Sequence, residues 1–193
     1  MKTLTTQILE ETAGLPEGQT ICAKALLHLG ERAAVDQALS RLARRGSLLR
    51  AERGFYVRPI VSRFGTRAPS PEKVVNSIAS ARGEKITEHG AIAANQFGLT
   101  TQVPMKEVFF TSGPSRHIRL GNQTVELKHA PPWQLTVPGA AGSIVRAIAW
   151  LGRERSRENL RALKKRLPAE PMQVLAQHRH QLPGWLAKEV AAA

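Results

Sequence analysis

The stretch 20–57, TICAKALLHLGERAAVDQALSRLARRGSLLRAERGFYV, constrains the fold more than any other part of the chain. It reads as a short helix, a tight turn, a longer helix, and two extended runs joined by a charged turn. In the longer helix Val35, Ala38, Leu39 and Leu42 recur near a spacing of 3.6 and share one face. Arg32, Ala33, Asp36, Gln37, Ser40, Arg41 and Arg44 fall on the opposite arc. One face packs and the other is left to touch something. Gly46 suits the position just past the helix, because glycine adopts the left-handed conformation without steric cost. Residues 47–50 and 55–57 then flank Ala51-Glu52-Arg53-Gly54, a polar turn closed by glycine.

These residues resemble a winged helix-turn-helix DNA-binding domain. Residues 22–27 correspond to the supporting helix, 28–30 to the turn, 31–45 to the recognition helix and 47–57 to the wing. A helix over 31–45 is about 23 Å long at about 1.5 Å per residue, enough to cross a major groove. Arg41 and Arg44 carry a planar fork that bridges guanine O6 and N7 or clamps phosphate, and Gln37 is suited to adenine. The candidate DNA-binding set is Arg32, Gln37, Ser40, Arg41, Arg44 and Arg45 on the helix, with Arg50 and Arg53 on the wing. Arg53 is placed to enter a minor groove. The competing reading of these residues is a solvated basic helix.

Charge favours the first reading. The 193 residues carry 28 Lys or Arg against 15 Asp or Glu, a formal net of +13, which calls for a polyanionic partner. Residues 1–67 hold 11 basic and 6 acidic side chains, and within 41–67 there are 8 Arg against the single acid Glu52. Phosphate contacts are expected there. The single cysteine, Cys22, cannot form an internal disulfide and is expected to pack as a small hydrophobe. There is no run of 18 apolar residues, and the opening MKTLTTQILEETAG lacks the apolar core of a signal peptide. A soluble, cytoplasmic protein with no membrane partner is expected.

In chain order, 4–12 reads as a helix burying Leu4, Ile8 and Leu9. RPIVSRFGTRAPSPE at 58–72 has no lasting periodicity and reads as an inter-domain linker. Ser70 and Pro71 then start a helix reaching about Arg82, with Val74, Val75 and Ile78 inward. A helix from residue 88 or 89 stops at Gly98. Runs at 107–112, 116–120 and 124–129 read as strands, the last two joined at Gly121-Asn122-Gln123. Helices are expected over 142–151, 156–167, 170–180 and 183–190, bounded by Gly152, Pro168 and Pro183. The fold class is α+β: residues 1–67 as a winged helix-turn-helix domain and 68–193 as a mixed domain ending in helices.

GAIAANQFGLTTQVPMKEVFFTSGPSRHIRLGNQTVELKHAP, following a segment that ends RLARRGSLLRAERGFYV, resembles the AbiEi-type antitoxins of type IV toxin-antitoxin (abortive infection) systems. The resemblance covers roughly residues 4–186, including LPGW at 182–185 before the last helix. It implies an N-terminal domain that binds and represses its own promoter, and a C-terminal domain that counters a nucleotidyltransferase-type toxin in phage defence. Double-stranded DNA with inverted repeats, occupied by two protomers, and the cognate toxin are the implied partners.

Catalytic chemistry is hard to place. Asp36, on the proposed recognition helix, is the single aspartate. Nucleotidyl transfer needs carboxylates converging on a divalent metal, and Gly142-Ser143 has no acidic pair following it, so it reads as a helix start. There is no GxxxxGK[ST] or GxGxxG motif. His178 and His180 lie about 200° apart on a helix, and His89, His117 and His129 show no ligand spacing. No catalytic residue, cofactor or metal is expected, and the chain reads as a non-enzyme. A second basic cluster spans 146–166, where Leu160, Leu163 and Leu167 point inward. Arg157, Arg161, Lys164 and Lys165 lie outside, as a solvated face, an extra DNA contact or a toxin-side surface. The stretch 103–108 with Phe109 and Phe110 is either core or, through one phenylalanine, a partner contact. The alternative overall reading is a stand-alone winged-helix transcription factor whose C-terminal domain binds a ligand or oligomerises. An RNA-binding or nucleic-acid-processing enzyme fits the charge but lacks carboxylates and an aromatic stacking platform.

Overall fold

A computed structural model of the chain describes residues 2–102 and 104–192. It is mixed α+β and divides into two compact units that do not follow the chain simply. The first comprises residues 1–84 and 116–126, the second residues 85–115 and 127–193. The expected boundary at residue 67 therefore falls inside the first unit.

In the first unit α1 (Leu4–Ala13) is capped by the Thr3 side chain, which accepts from the Thr6 N–H, and buries Ile8 and Thr12. Strand β1 (Thr20–Ile21) leads into a short 3-10 turn at Ala23–Leu26, then into α2 (Arg32–Arg44). The expected helix over 22–27 is thus a single tight turn, because Cys22 is still extended and leaves only four residues to wind. Cys22 itself is half-buried rather than packed in the core. Helix α2 buries Val35, Ala38, Leu39 and Leu42, the four positions that its periodicity marks. They meet Ile8, Leu26, Leu48 and Tyr56 in one core. Gly46, at φ +74°, turns the chain out of the helix, and the Ser47 and Leu48 N–H groups return to the Leu42 carbonyl. Strands β2 (Leu49–Glu52) and β3 (Phe55–Val57) follow in an antiparallel sheet of order β1-β3-β2, with Arg50 opposite Tyr56.

The segment 58–72 is not a bare linker. Within it β4 (Ile60–Ser62) and β5 (Gly65–Arg67) form a separate antiparallel hairpin, with Val61 opposite Thr66. Its strands are only three residues long, too short for alternation to show. Helix α3 (Pro71–Arg82) buries Val74, Val75, Ile78 and Ala79. Ser70 precedes it without a side-chain cap bond, and its N–H donates to the Glu17 carboxylate at 3.1 Å. The Thr20 N–H donates to Ser77 Oγ at 2.9 Å, tying α3 to β1. These contacts, and β8 lying against β2, carry α3 and residues 116–126 into the first unit.

Strands β6 (Ile86–Glu88), β7 (Glu107–Thr111), β8 (Arg116–Leu120) and β9 (Gln123–His129) have the sheet order β6-β7-β9-β8. In the second unit β6 pairs antiparallel with β7, Glu88 facing Phe109. Helix α4 (Gly90–Gln96) starts after His89, whose ring nitrogen accepts from the Ala91 N–H, and packs on α6 (Gly139–Leu151). A Cβ on Gly90 would stand 2.5 Å from the Arg146 carbonyl, so glycine is what permits this approach. A short α5 (Pro132–Leu135), α7 (Ser156–Arg166), α8 (Ala169–Gln177) and α9 (Gly184–Ala192) complete the unit around Ile144, Ile148, Leu160, Leu163, Leu175 and Leu186.

Three expectations shift. Helix α6 begins at Gly139, so Gly142-Ser143 lies inside it instead of starting it. The helix over 170–180 ends at Gln177 and a 3-10 turn at Arg179–Gln181 follows, so His178 and His180 share no helix face. Phe109 is buried and Phe110 packs its ring 4.7 Å from that of His89, which gives both phenylalanines an internal role; Val103, at the head of that stretch, lies outside the described residues. Among the described residues no helix is long and apolar enough to cross a membrane.

Candidate nucleic-acid interface

With its apolar stripe inward, α2 presents Arg32, Ala33, Ala34, Asp36, Gln37, Arg41 and Arg44 to solvent, with Ser40 half-buried and Arg45 exposed at the cap. These residues are not equivalent. Arg32 Nε donates to Asp36 Oδ2 at 2.8 Å, an i,i+4 pair that offsets its charge. Arg44 Nε reaches the Ser40 carbonyl at 3.5 Å, a long contact that leaves most of its fork unspent. Gln37, Arg41 and Arg45 make no side-chain hydrogen bond to the described residues, so their donors face water. The strongest cations therefore lie in the last turn and cap of α2, where positive charge also complements the helix dipole.

Arg50 is exposed on β2, and Arg53 sits in the turn with Gly54 at φ +83°. Between them Glu52, the sole acid of 41–67, turns inward: its side chain is 8% exposed and pairs with Arg82 at 2.6 Å and Arg116 at 3.0 Å. Arg116 also holds Glu84 at 2.7 Å, and the Arg82 guanidinium stacks over Phe55 at 5.2 Å. This network leaves the outer side of the β2–β3 hairpin cationic. Sequence alone showed a lone acid in a basic run; only the pairing with residues 30 and 64 positions away explains it.

The second basic cluster is smaller than its residue count. Arg146 is 4% exposed, and its guanidinium donates to Glu88 at 2.7 Å, to Ser143 at 3.2 Å and to the Gln134 carbonyl at 3.1 Å. Burial works to raise the Glu88 carboxyl, but the hydrogen bonds from Arg146 and Ser143 and the Arg146 charge outweigh it and hold it below its ordinary 4.5. Arg157 grips Glu189 through two bonds, at 2.7 and 3.2 Å, which lowers Glu189 and raises Arg157. Arg161 and Lys165 share a shallow groove of about 500 Å³ with Glu154 and Glu158. Lys164 faces a different one, beside Leu167 and Met172. The four predicted residues thus split over two surfaces, one of them dotted with acids. Among the described residues no three His, Cys, Asp or Glu side chains come close enough to hold a metal ion.

Sequence reading missed the β4–β5 hairpin, which extends the cationic run through Arg58, Arg63 and Arg67. The turn glycine Gly65 carried the same signature as Gly54 in the hairpin before it. No curated protein and no solved structure matches the chain. A family model does match, over residues 7–170, and the chain belongs to that family, a family of unknown function designated DUF6088.

Proposed function

We propose that the chain is a DNA-binding transcriptional autorepressor and the antitoxin of a type IV toxin-antitoxin system, with α1, α2 and the β1–β3 sheet as a winged helix-turn-helix. The observation that carries the DNA-binding half is the division of α2, whose apolar stripe is buried while Gln37, Arg41, Arg44 and Arg45 stand unspent on the surface. The adjoining hairpin offers Arg50 and Arg53 with its one acid sequestered. In this reading Lys and Arg release counterions from the phosphates and supply affinity, while Gln37, Arg41 and Arg44 choose the site in the major groove. Arg32, tied to Asp36, contributes orientation rather than base reading. The antitoxin half rests on the sequence resemblance to AbiEi-type chains, and co-expression with a neighbouring nucleotidyltransferase-type toxin, scored by growth, tests it.

The DNA-binding half is tested with duplex from the region upstream of its own coding sequence against a scrambled duplex, by fluorescence anisotropy at two salt concentrations. Tighter binding to the upstream duplex that persists at the higher salt is expected. The double variant Arg41→Ala/Arg44→Ala should lose about 2–6 kcal/mol of that affinity, at about 1–3 kcal/mol per base contact. Unchanged affinity in the folded double variant removes α2 as the reading helix.

A further inference from the structure

We propose that the β4–β5 hairpin is a second DNA-contacting arm, which wedges Phe64 between base steps from the minor groove while Arg58, Arg63 and Arg67 hold the flanking phosphates. This rests on the DNA-binding reading above and adds to it an element and a mode of contact.

The hairpin is a two-stranded sheet that pairs with no other strand. At its tip Phe64 is 85% exposed, and Val61 on its first strand is 72% exposed. A two-stranded ribbon has no core of its own, and placing its largest apolar side chain outermost forfeits the hydrophobic gain that burial would bring. Phe64 is nevertheless held in place. The Ser62 hydroxyl accepts from the Phe64 N–H at 3.2 Å and donates to the Gly65 carbonyl at 3.1 Å. The Arg63 guanidinium lies 4.6 Å from the Phe64 ring centroid. The tip is therefore a preformed pair, one apolar ring and one cation, on a turn that satisfies its own backbone.

Charge selects the occupant. From Arg53 to Pro71 there is no acidic residue, and Arg58, Arg63 and Arg67 are spaced along the hairpin. At the base, Arg67 is steadied by Glu17 at 3.5 Å and by the Ala68 carbonyl at 3.1 Å, while Arg63 is carried at the tip. An apolar ring flanked by cations fits an unstacked base step between two phosphates, the arrangement by which wedge side chains kink DNA from the minor groove. A purely apolar protein groove would leave these charges unmet.

Reach is adequate. The base of the hairpin borders a groove of about 370 Å³ lined by Gly46, Leu49, Pro59 and Thr66, next to the cationic end of α2. From Pro59 to Phe64 an extended strand covers about 17 Å at about 3.3 Å per residue. A single duplex is long enough to meet both elements.

The test uses the full chain with a 30-base-pair duplex, roughly three helical turns, from its own upstream DNA and a scrambled control, end-labelled for energy transfer. Binding of the unaltered chain should raise transfer efficiency by bending the duplex. Phe64→Ala should abolish that rise and weaken binding about tenfold, and Arg63→Ala should reduce the dependence of log K on log salt by about one. Arg41→Ala/Arg44→Ala should weaken binding yet keep the bend at saturating protein. Phe64→Ala with unchanged affinity and unchanged bending overturns the arm alone. Loss of bending in Phe64→Ala, with Arg41 and Arg44 indifferent, upholds the arm and overturns the reading helix. Binding to neither duplex overturns both. Self-association lost in Phe64→Ala with DNA binding intact, read by sedimentation velocity, makes a second copy the occupant and overturns the proposal.

Discussion

At the scale of single residues, the second unit is organised around a buried cation. Arg146 is nearly inaccessible, and its guanidinium is met by a carboxylate, a hydroxyl and a backbone carbonyl. Removing one partner of such a set leaves charge in a poorly hydrated place. Glu88→Gln should therefore destabilise the protein by about 2–3 kcal/mol at pH 7, measured by urea unfolding. The pH dependence has a definite sign. The carboxyl is held below 4.5 in the fold, so the unfolded chain binds the proton more readily, and the stabilisation is present above that ordinary value and lost as pH falls through the lowered one. The gap between the unaltered protein and Glu88→Gln should close on acidification; a constant gap from pH 7 to pH 3 rules the linkage out.

At the scale of elements, glycine decides how closely α6 is seated. A Cβ on Gly142 would collide with the Val137 carbonyl, which is backbone and cannot swing aside. Alanine raises helix propensity by about 1 kcal/mol over glycine in a free helix, but overpacking costs about 1–3 kcal/mol and rigid neighbours place this site at the upper end. Gly142→Ala should lower stability in urea melts, whereas Gly184→Ala, with no atom within 4 Å of the added Cβ, should not. In α2 the contrast is between two faces: burial is set by Val35, Ala38, Leu39 and Leu42, and the cations can be exchanged without touching the core. That separation makes the Arg41/Arg44 test a test of recognition and not of folding.

For the whole molecule, the route of the chain matters more than its length. It enters the second unit at residue 85, returns to the first over 116–126, and leaves again. The returning segment supplies β8 beside β2, and Arg116 for Glu52 and Glu84. A fragment ending at residue 84 loses both. It should be several kcal/mol less stable than the same region in the intact protein, since Glu52 and Glu84 are left without Arg116 at about 3–5 kcal/mol for a broken buried pair. Hydrogen exchange over β2 compared in fragment and full chain checks this, and equal protection rules it out.

The sequence by itself determined the elements whose signal is local and periodic. The buried stripe of α2, the span of α3 from Pro71 to Arg82, the strands β7 to β9 and the helical end were all legible, because spacing of apolar residues and the chemistry of Pro and Gly act within a few positions. The basic face of α2 was legible for the same reason. Only tertiary structure decided which charges remain available: Glu52 meets Arg82 and Arg116, Arg146 meets Glu88, Arg157 meets Glu189, and each pairing joins residues far apart in the chain. It also decided that 58–72 folds into a hairpin and that the units interleave at residues 85 and 116. Such outcomes depend on contacts that no local period encodes, because a side chain's neighbours in space are set by how whole elements pack.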